Sequence, residues 1–284
     1  MKKITALLLG AAMVLSLAAC GGTASSSEAA SSSEGASSEA ASSEATSEAA
    51  AGELTTVTPG TLTMSTNAAF PPYEMTADDG SFEGIDIEVA QAIADKLGLG
   101  LQVDDMDFDA ALLAVQNGKS DMVMAGVTVT DERKAVMDFT DSYANGIQVV
   151  IVPEDSDIAS IDDMQGKMIG VQRGTTGDLY CSDTVENGGF GAENVTPYDN
   201  GLTAVQALMN GQVDCVVIDN APAQEFVAAN PGLKILDTEY ANEEYAIGVA
   251  KGNTQLLDAI NGALAELEAD GTLQSIVDKY ITAE

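Results

Sequence analysis

Arginine is the first residue type to consider for a binding site, because the chain has only two arginines, Arg133 and Arg173. Arg133 lies where a predicted strand end runs into a predicted capped helix start. A guanidinium at such a place can hold a carboxylate through two parallel hydrogen bonds, which a Lys ammonium cannot reproduce. Thr128 and Thr130 place hydroxyl groups beside it. Arg133 could instead pair with Asp131 or Glu132 within the helix, or Thr130 could serve as its N-cap, and these alternatives stay open.

Asp219 offers the opposite charge. It ends the predicted buried strand 216–218 and precedes Asn220 and Pro222. A carboxylate at a strand end can receive an ammonium group, which complements what Arg133 would hold. An Asx turn or the N-cap of the following helix is the competing use of Asp219.

Residues 174–177, Gly-Thr-Thr-Gly, lie between a predicted strand and a helix predicted from about Asp178. Backbone N–H groups at a helix start have no intrahelical acceptor, so with Thr175 and Thr176 they would form a small anion-binding loop. The segment is not a nucleotide-binding loop, because the chain has no G-x-x-x-x-G-K-[ST] motif. By itself such a segment more often marks only a turn.

Two aromatic residues could enclose an apolar ligand stem. Phe70 and Phe108 lie in different predicted loops of the first half of the fold. Because the chain has only 6 Phe, 7 Tyr and no Trp, packing in the core is the alternative use of each ring.

Composition excludes several classes of function. The chain carries 45 acidic against 11 basic residues, a formal net charge of −34, which does not suit binding to nucleic acid. It has no His, and its only Cys residues are Cys20, Cys181 and Cys215, so His catalysis and a thiolate zinc site are excluded. We expect no metal and no cofactor. Cys181 and Cys215 could be buried thiols or a single bridge.

The N-terminal 19 residues have the pattern of an export signal. Two Lys residues precede an uncharged stretch that ends in Leu-Ala-Ala before Cys20. This ending resembles the bacterial lipobox, which implies that Cys20 is lipid-modified and anchors the mature protein to the outer face of the membrane. Residues 20–53 are almost wholly Ser, Ala, Gly, Thr and Glu, a composition that predicts a disordered tether.

The remaining chain, residues 54–284, alternates short apolar runs with helical periodicity and therefore predicts an α/β fold. Ile85, Val89, Ile93 and Leu97 recur on one helix face, and Gly98 predicts where that helix ends. Residues 113–123 are echoed by residues 206–216. Each copy reads as a helix, Asn-Gly, two residues, Asp and a buried strand, which predicts two lobes built from one unit.

Several segments together resemble the bacterial extracellular solute-binding proteins of family 3, the polar amino-acid receptors of ATP-driven importers. The resemblance extends from about residue 61 to residue 281, and its segments occur in the order and spacing of the family. They are STNAAFPPYE (65–74), GIDIE (84–88), AGVTVTDER (125–133), DFTD (138–141), GTT (174–176), DCVVID (214–219) and ADGT (269–272).

The resemblance implies a type II, two-lobe clamshell like the periplasmic binding proteins, with a discontinuous first lobe and two hinge crossings. The first lobe would comprise residues 54–144 and 246–284, and the second lobe residues 145–245. We place the crossings near residues 143–146 and 240–246.

The resemblance also implies a ligand site between the lobes. Arg133 and Thr128 would bind the ligand α-carboxylate together with the loop of the second lobe, and Asp219 would bind the α-ammonium. Phe70 and Phe108 would flank the side chain. The full set of expected ligand-binding residues is Asn67, Phe70, Phe108, Ala125, Gly126, Thr128, Arg133, Gln172, Thr175, Thr176 and Asp219.

The chain departs from one subgroup of this family. Receptors for arginine, lysine or histidine usually carry an acid where Asn67 stands, and a neutral amide loses that ion pair. The sequence therefore favours a neutral polar amino acid as the ligand. Glu74 and the stretch 104–109 could still supply negative charge.

The implied function is that of a monomeric receptor, not an enzyme, whose closed form docks on an ABC permease with a cytoplasmic ATPase partner. Exported cyclohexadienyl dehydratases share the scaffold and are the first alternative. They need a buried acid that donates a proton, and Glu74 would have to fill that role. A sensory domain that presents amino acids to a partner receptor is the second alternative.

Overall fold

The structure, a computed structural model, describes residues 54–281. The predicted signal peptide (1–19), Cys20 and the predicted tether (20–53) lie outside the described residues. Within the described part, no helix is both long and apolar enough to cross a membrane.

The strands of the described part form one large mixed sheet and one small antiparallel sheet. The large sheet has the order β5-β1-β6-β12-β7-β10-β8-β9, with β11 paired to β7, and the small sheet has the order β2-β3-β4. The strands are β1 (Thr61–Thr66), β2 (Ala69–Phe70), β3 (Glu74–Thr76), β4 (Phe82–Glu83), β5 (Gly100–Asp105), β6 (Met122–Val123), β7 (Met137–Pro153), β8 (Ile169–Gln172), β9 (Val195–Tyr198), β10 (Cys215–Asp219), β11 (Leu233–Ile235) and β12 (Ala241–Ala250).

Helices alternate with these strands, as the sequence pattern predicts. They are α1 (Ile85–Leu97), α2 (Phe108–Gln116), α3 (Asp131–Val136), α4 (Thr176–Ser182), α5 (Gly201–Met209), α6 (Asn220–Ala229), α7 (Thr254–Ala269) and α8 (Thr272–Tyr280). Short 3-10 turns occur at Ile161–Met164, Val185–Asn187 and Ala192–Asn194.

Helix α1 confirms the amphipathic helix that the sequence predicts. Ile85, Val89 and Ile93 are fully buried, so the apolar stripe of the helix faces the core. The helix ends at Gly98, which has a φ of 69°. Glycine has no Cβ and adopts this left-handed conformation without strain, which explains the stop.

Two lobes share the large sheet, and the long strands β7 and β12 run from one lobe to the other. β12 pairs with β6 of the first lobe through Gly248 and Val249. β7 pairs with β10 of the second lobe through residues 148–151. Between these points β7 and β12 pair with each other. The mixed α/β fold with two lobes confirms the predicted class, and the exact lobe boundaries stay a prediction.

The predicted repeat corresponds to two equivalent structural units. In the first unit α2 ends at Asn117, and Gly118 has a φ of 64° before the chain enters β6. In the second unit α5 ends at Asn210, and Gly211 has a φ of 65° before β10. The two lobes therefore use the same helix stop to lead into a buried strand.

The two cysteines of the described part are free thiols, and both are buried. They lie in one apolar cluster of the second lobe with Val150, Ile169 and Val217. Burial raises the pKa of each thiol to about 12. Of the two alternatives left open by the sequence, the structure contains the buried thiols.

Candidate functional site

A cavity between the two lobes brings together all of the expected ligand-binding residues. The empty volume of this cavity is about 310 Å³. Its lining residues are Asn67, Phe70, Glu74, Phe108, Ala125, Gly126, Thr128, Arg133, Gln172, Thr175, Thr176 and Asp219.

Hydrogen bonds between the lobes hold the cavity closed. The Nε2 of Gln172, at the end of β8, donates to Oδ1 of Asn67 in the first lobe at 2.9 Å. The Nη2 of Arg133 donates to the carbonyl of Gly174 in the second lobe at 3.2 Å. Side chains expected to touch the ligand therefore also join the two lobes.

Arg133 is fixed by its own helix and by an aromatic ring. The N-cap Thr130 accepts a hydrogen bond from the Arg133 backbone N–H at 3.2 Å, which sets the start of α3. The Nη1 of Arg133 donates to the Thr128 carbonyl at 2.8 Å, and the guanidinium lies over the Phe108 ring at 5.3 Å. Arg133 is only 7% exposed. The alternative pair with Glu132 does not occur among the ion pairs of the described residues.

Asp219 ends β10, and its carboxyl group lines the same cavity as Arg133. It occupies the N-cap position of α6 but makes no side-chain capping bond. Instead it accepts a hydrogen bond from Nε2 of Gln148 at 2.8 Å and another from the hydroxyl of Tyr245. Burial raises the pKa of Asp219 to about 7, although the Tyr245 hydrogen bond acts against this shift.

The Gly-Thr-Thr-Gly segment forms the predicted helix start. Thr175 caps α4 by accepting from the backbone N–H of Asp178 at 3.3 Å. The helix begins at Thr176, two residues before the predicted start, because Thr175 satisfies the first turn. The N–H groups of Thr176 and Gly177 lie in that turn, where helix donors have no intrahelical acceptor.

The aromatic residues of the site occupy different elements. Phe70 belongs to β2, and its ring packs on Gly126, where an added Cβ would lie 2.9 Å from Phe70 Cε1. Gly126 has a φ of 53°, so both its conformation and the approach of Phe70 require glycine. Phe108 is the first residue of α2, and its expected place in a loop was wrong.

Glu74 is the lining residue that our list of expected ligand-binding residues omits. Its side chain is fully buried, and neither carboxylate oxygen has a hydrogen-bond partner among the described residues. Burial and the neighbouring Asp86 raise the pKa of Glu74 well above its usual range. The sequence signal was an acidic residue directly after Pro-Pro-Tyr, within an otherwise apolar loop.

Two residues of the long strands support the site from behind. Gln148 of β7 donates to Asp219 at 2.8 Å and to Glu243 of β12 at 3.1 Å. Glu243 also accepts from the Thr128 hydroxyl at 2.9 Å. Gln148 is the one amide within the apolar run 147–152, which is a signal that sequence reasoning could have used. The alternating pattern around Glu243 gave no such signal.

No cluster of three or more acidic or Cys side chains that could hold a metal ion occurs in residues 54–281. The polar side chains that line the cavity offer hydrogen bonds and charge pairing. The buried guanidinium of Arg133 and the buried carboxyl group of Asp219 match the two charges of a zwitterion.

The chain matches one protein family and several individual proteins of known name. Residues 62–283 match the family described as bacterial extracellular solute-binding proteins, family 3. The L-cystine-binding protein TcyJ of Escherichia coli (strain K12) is 32% identical over 228 residues, which cover 79% of this chain and 84% of that protein.

Several solved structures of amino-acid-binding proteins are also similar to this chain. An ancestral arginine-binding protein bound to arginine is 42% identical, with 78% of this chain and 98% of that chain covered and a TM-score of 0.73. Its structure bound to glutamine is 41% identical, with 79% and 99% covered and a TM-score of 0.73. The substrate binding protein of an amino acid ABC transporter is 36% identical, with 79% and 100% covered and a TM-score of 0.73.

Proposed function

Since the chain belongs to the bacterial extracellular solute-binding proteins, family 3, we propose that it is an exported receptor that binds a free amino acid between its lobes and delivers it to an ABC importer. The observation that carries this proposal is the pair of buried, opposite charges in one cavity, Arg133 from the first lobe and Asp219 from the second. A ligand that touches both stabilises the closed form.

The ligand backbone would lie between Arg133 and Asp219. Its α-carboxylate would accept from Arg133 and the N–H groups of Thr176 and Gly177, and from the Thr128 hydroxyl when that hydroxyl turns away from Glu243. Its α-ammonium would donate to Asp219. An ammonium beside this carboxylate favours the ionised form, so ligand binding would lower the pKa of Asp219 from about 7.

For the ligand side chain we propose a polar group, with a neutral amide as the first candidate. Asn67 and Gln172 are neutral amides that already bond to each other at 2.9 Å, and they offer both donors and acceptors. A cationic side chain is the second candidate, because the two unpartnered oxygens of Glu74 lie in the same cavity. The ancestral relative, bound to arginine in one structure and to glutamine in another, supports both candidates.

We further propose that the closed protein acts as a monomer, docks on a membrane permease with an ATPase partner, and is held at the membrane by lipid on Cys20. The relative named as part of an amino acid ABC transporter supports the transporter partner. The sequence pattern before Cys20 supports the anchor.

The test is thermal unfolding of the purified protein, first unfolded and refolded to remove carried-over ligand, against each common amino acid. A ligand at about 1,000 times its dissociation constant adds about 4 kcal/mol to the free energy of unfolding. We expect strong stabilisation by one or a few amino acids. A panel with no shift would contradict the proposal.

Substitutions of Arg133 make this test specific. Arg133→Lys keeps the charge but loses the two-pronged geometry, so we expect binding about 10- to 100-fold weaker, as for the loss of a charged hydrogen bond. Arg133→Ala should abolish binding at these concentrations. Arg173→Lys is the matched control, because the Arg173 side chain is half exposed and its guanidinium makes polar contacts only with Asp199 and the Pro197 carbonyl among the described residues. Weakening by the control as large as that by Arg133→Lys would argue against the site.

A dehydratase is the competing function, and the buried acid Glu74 is the observation that favours it, because a protonated carboxyl can donate to a leaving hydroxyl. Prephenate and arogenate are therefore added to the panel and followed for turnover. We expect none. Turnover of either compound would replace the receptor proposal.

A further inference from the structure

Two buried carboxyl groups are associated with the cavity. Glu74 begins β3 and Asp86 lies in the first turn of α1, and both are 0% exposed. Asp86 accepts a hydrogen bond from the Tyr143 hydroxyl at 2.7 Å and one from the Gly126 N–H at 3.1 Å. Glu74 accepts none from the described residues. Asp86 is thus stabilised as an acceptor, whereas Glu74 is not.

The surroundings of Glu74 are acidic or phenolic. The titratable groups that face it are Asp86 from α1, Asp105 from the end of β5, Tyr143 from β7 and Asp219 from β10, with Tyr73 beside it in the chain. No Lys or Arg of residues 54–281 forms an ion pair with Glu74 or Asp86. Arg133 lines the same cavity but makes its hydrogen bonds to backbone carbonyls.

Two adjacent buried carboxylates without a cation cannot both stay ionised, because each loses its hydration and repels the other. A proton on Glu74 converts it into a donor, and the carboxylate of Asp86 is the acceptor beside it. Burial together with Asp86 raises the pKa of Glu74 well above its usual range, and burial raises the pKa of Asp86 to about 6. The backbone N–H of Asp86 donates to the carbonyl of Tyr73, the residue before Glu74, at 2.8 Å, which holds the two acids side by side. This contact, the burial of both groups and the lack of a cationic partner therefore agree on one proton for the pair.

We infer that Glu74 and Asp86 share one proton, and that this proton is released to water when an amino acid with a cationic side chain binds but is retained when the side chain is neutral. This inference rests on the proposed function and extends it to the charge of the ligand. On binding, the Glu74 O–H bond breaks, the proton passes to water, and the ligand cation donates N–H bonds to the freed Glu74 oxygens. One positive charge leaves and one enters, so the net charge of the buried site is conserved.

A neutral amide side chain would use the protonated form of Glu74. Its NH₂ group would donate to the Glu74 oxygen that does not carry the shared proton, and the Glu74 hydroxyl would keep its hydrogen bond to Asp86. No proton has to leave in this case. The same carboxyl pair would thus accept two charge classes of ligand, and pH would set the preference between them.

The experiment is calorimetric titration of the purified protein with arginine and with glutamine, in phosphate and in Tris buffer. The difference in binding heat between the buffers gives the number of protons released. At about pH 7 both ligands should release the same fraction of a proton from Asp219, because the ligand α-ammonium lowers its pKa from about 7. We expect arginine to release about one proton more than glutamine, and its affinity relative to glutamine to rise about tenfold for each unit of pH increase. Equal proton release by the two ligands would overturn the inference.

Two variants separate the pair from other acids. Glu74→Gln removes the titrating group, so arginine should bind more weakly and release no more protons than glutamine does. Glu83→Gln is the matched control, because Glu83 is an exposed residue of the neighbouring β4 and its side chain makes no hydrogen bond among the described residues. An excess of proton release by arginine over glutamine that persists in Glu74→Gln would overturn the assignment to this pair.

A measurement without ligand keeps the inference testable if no amino acid binds. Infrared spectroscopy at about pH 8, where Asp86 and Asp219 with pKa values of about 6 and about 7 are mostly ionised, should detect the C=O stretch of a protonated carboxyl group, and Glu74→Gln should remove it. Absence of this band in the unsubstituted protein would overturn the shared proton. If the band is present but no amino acid binds, the shared proton is retained, its coupling to a ligand is overturned, and the proposed function fails separately.

Discussion

Asp219 lies at a position where its side chain has two possible uses. A residue at the end of a strand and the start of a helix commonly caps the helix. Here the carboxylate turns away from α6 and is held by Gln148 and Tyr245, one from each of the long strands. Both strands also form the link between the lobes, so the group proposed to bind the ligand ammonium is attached directly to the link.

The raised pKa of Asp219 predicts how stability depends on pH. Its pKa is about 7 in the folded protein, above the usual value of 3.8, so the folded state keeps a proton that the unfolded chain has lost. Stability from this group is therefore present below about pH 4 and is lost as pH rises to about pH 7, at roughly 1.4 kcal/mol per unit of pKa difference.

Urea unfolding of the ligand-free protein between these two pH values measures this effect. We expect the free energy of unfolding to fall by a few kcal/mol across the range. Asp219→Asn should flatten the curve, since Asn has no proton to retain. Asp86, whose pKa is raised to about 6, accounts for a part of the slope that remains. An equal slope in Asp219→Asn would contradict the raised pKa.

In each copy of the repeated unit, an aspartate accepts hydrogen bonds from backbone N–H groups at or before the neighbouring strand. Asp121 follows Gly118 and accepts from the backbone N–H groups of Val57 at 2.7 Å and Thr63 at 2.8 Å. Asp214 follows Gly211 and accepts from the Met168 N–H at 2.7 Å. In both units the acid therefore fixes the beginning of the neighbouring parallel strand, β1 or β8.

These two acids predict a graded loss of stability. Asp121 is buried and accepts two charged hydrogen bonds, whereas Asp214 is exposed and accepts one. Asp121→Ala should therefore lower the free energy of unfolding more than Asp214→Ala, at about 1.5–3 kcal/mol for each charged hydrogen bond and less where water replaces it. Asp258→Ala, on an exposed face of α7, is the control and should have almost no effect. Equal losses in the first two variants would refute the shared role.

Local sequence signals predicted the elements well, and contacts between distant residues account for what they missed. The four-residue spacing of Ile85, Val89 and Ile93 fixes a helix face, and Gly98 fixes its end, because both effects act within a few residues. Phe108, which the sequence places in a loop, is the first residue of α2.

The charged residues of the site and its other lining residues could be predicted from the sequence, because strand ends and helix starts carry recognisable residue types. The carboxyl pair could not, because Asp86 is in sequence an ordinary acid of a helix first turn. Asp86 lies close to Glu74 only because β3 packs against α1. The contact of Gln148 with Glu243 likewise depends on the pairing of β7 with β12.

The two lobes are linked where β7 and β12 pair only with each other, and Gly146 lies at this point. A Cβ at Gly146 would lie 2.4 Å from the Tyr245 hydroxyl oxygen, so an added methyl group would displace that ring. Tyr245 also donates to Asp219. A change at the link should therefore disturb both closure and the proposed ammonium site.

Gly146→Ala tests this coupling. We expect a larger radius of gyration by small-angle X-ray scattering with saturating ligand, together with ligand binding weakened by about tenfold or more, because the closed form becomes less populated. Gly262→Ala in α7 is the control, since a Cβ there meets nothing within 4 Å. An unchanged radius of gyration of the ligand-bound Gly146→Ala variant would contradict the proposed coupling between this link and the ligand site.

The first lobe contains both ends of the described chain. The Tyr280 hydroxyl of α8 donates to Glu88 of α1 at 2.6 Å, across 192 residues of chain. A ribosome makes α1 early and α8 last, so the second lobe is synthesised completely before the first lobe has all its parts. The apolar face of α1 cannot be covered completely until α8 has been synthesised, and this delay slows the folding of the first lobe. For a chain that crosses a membrane before it folds, as proposed here, this delay extends the time in which it can be exported.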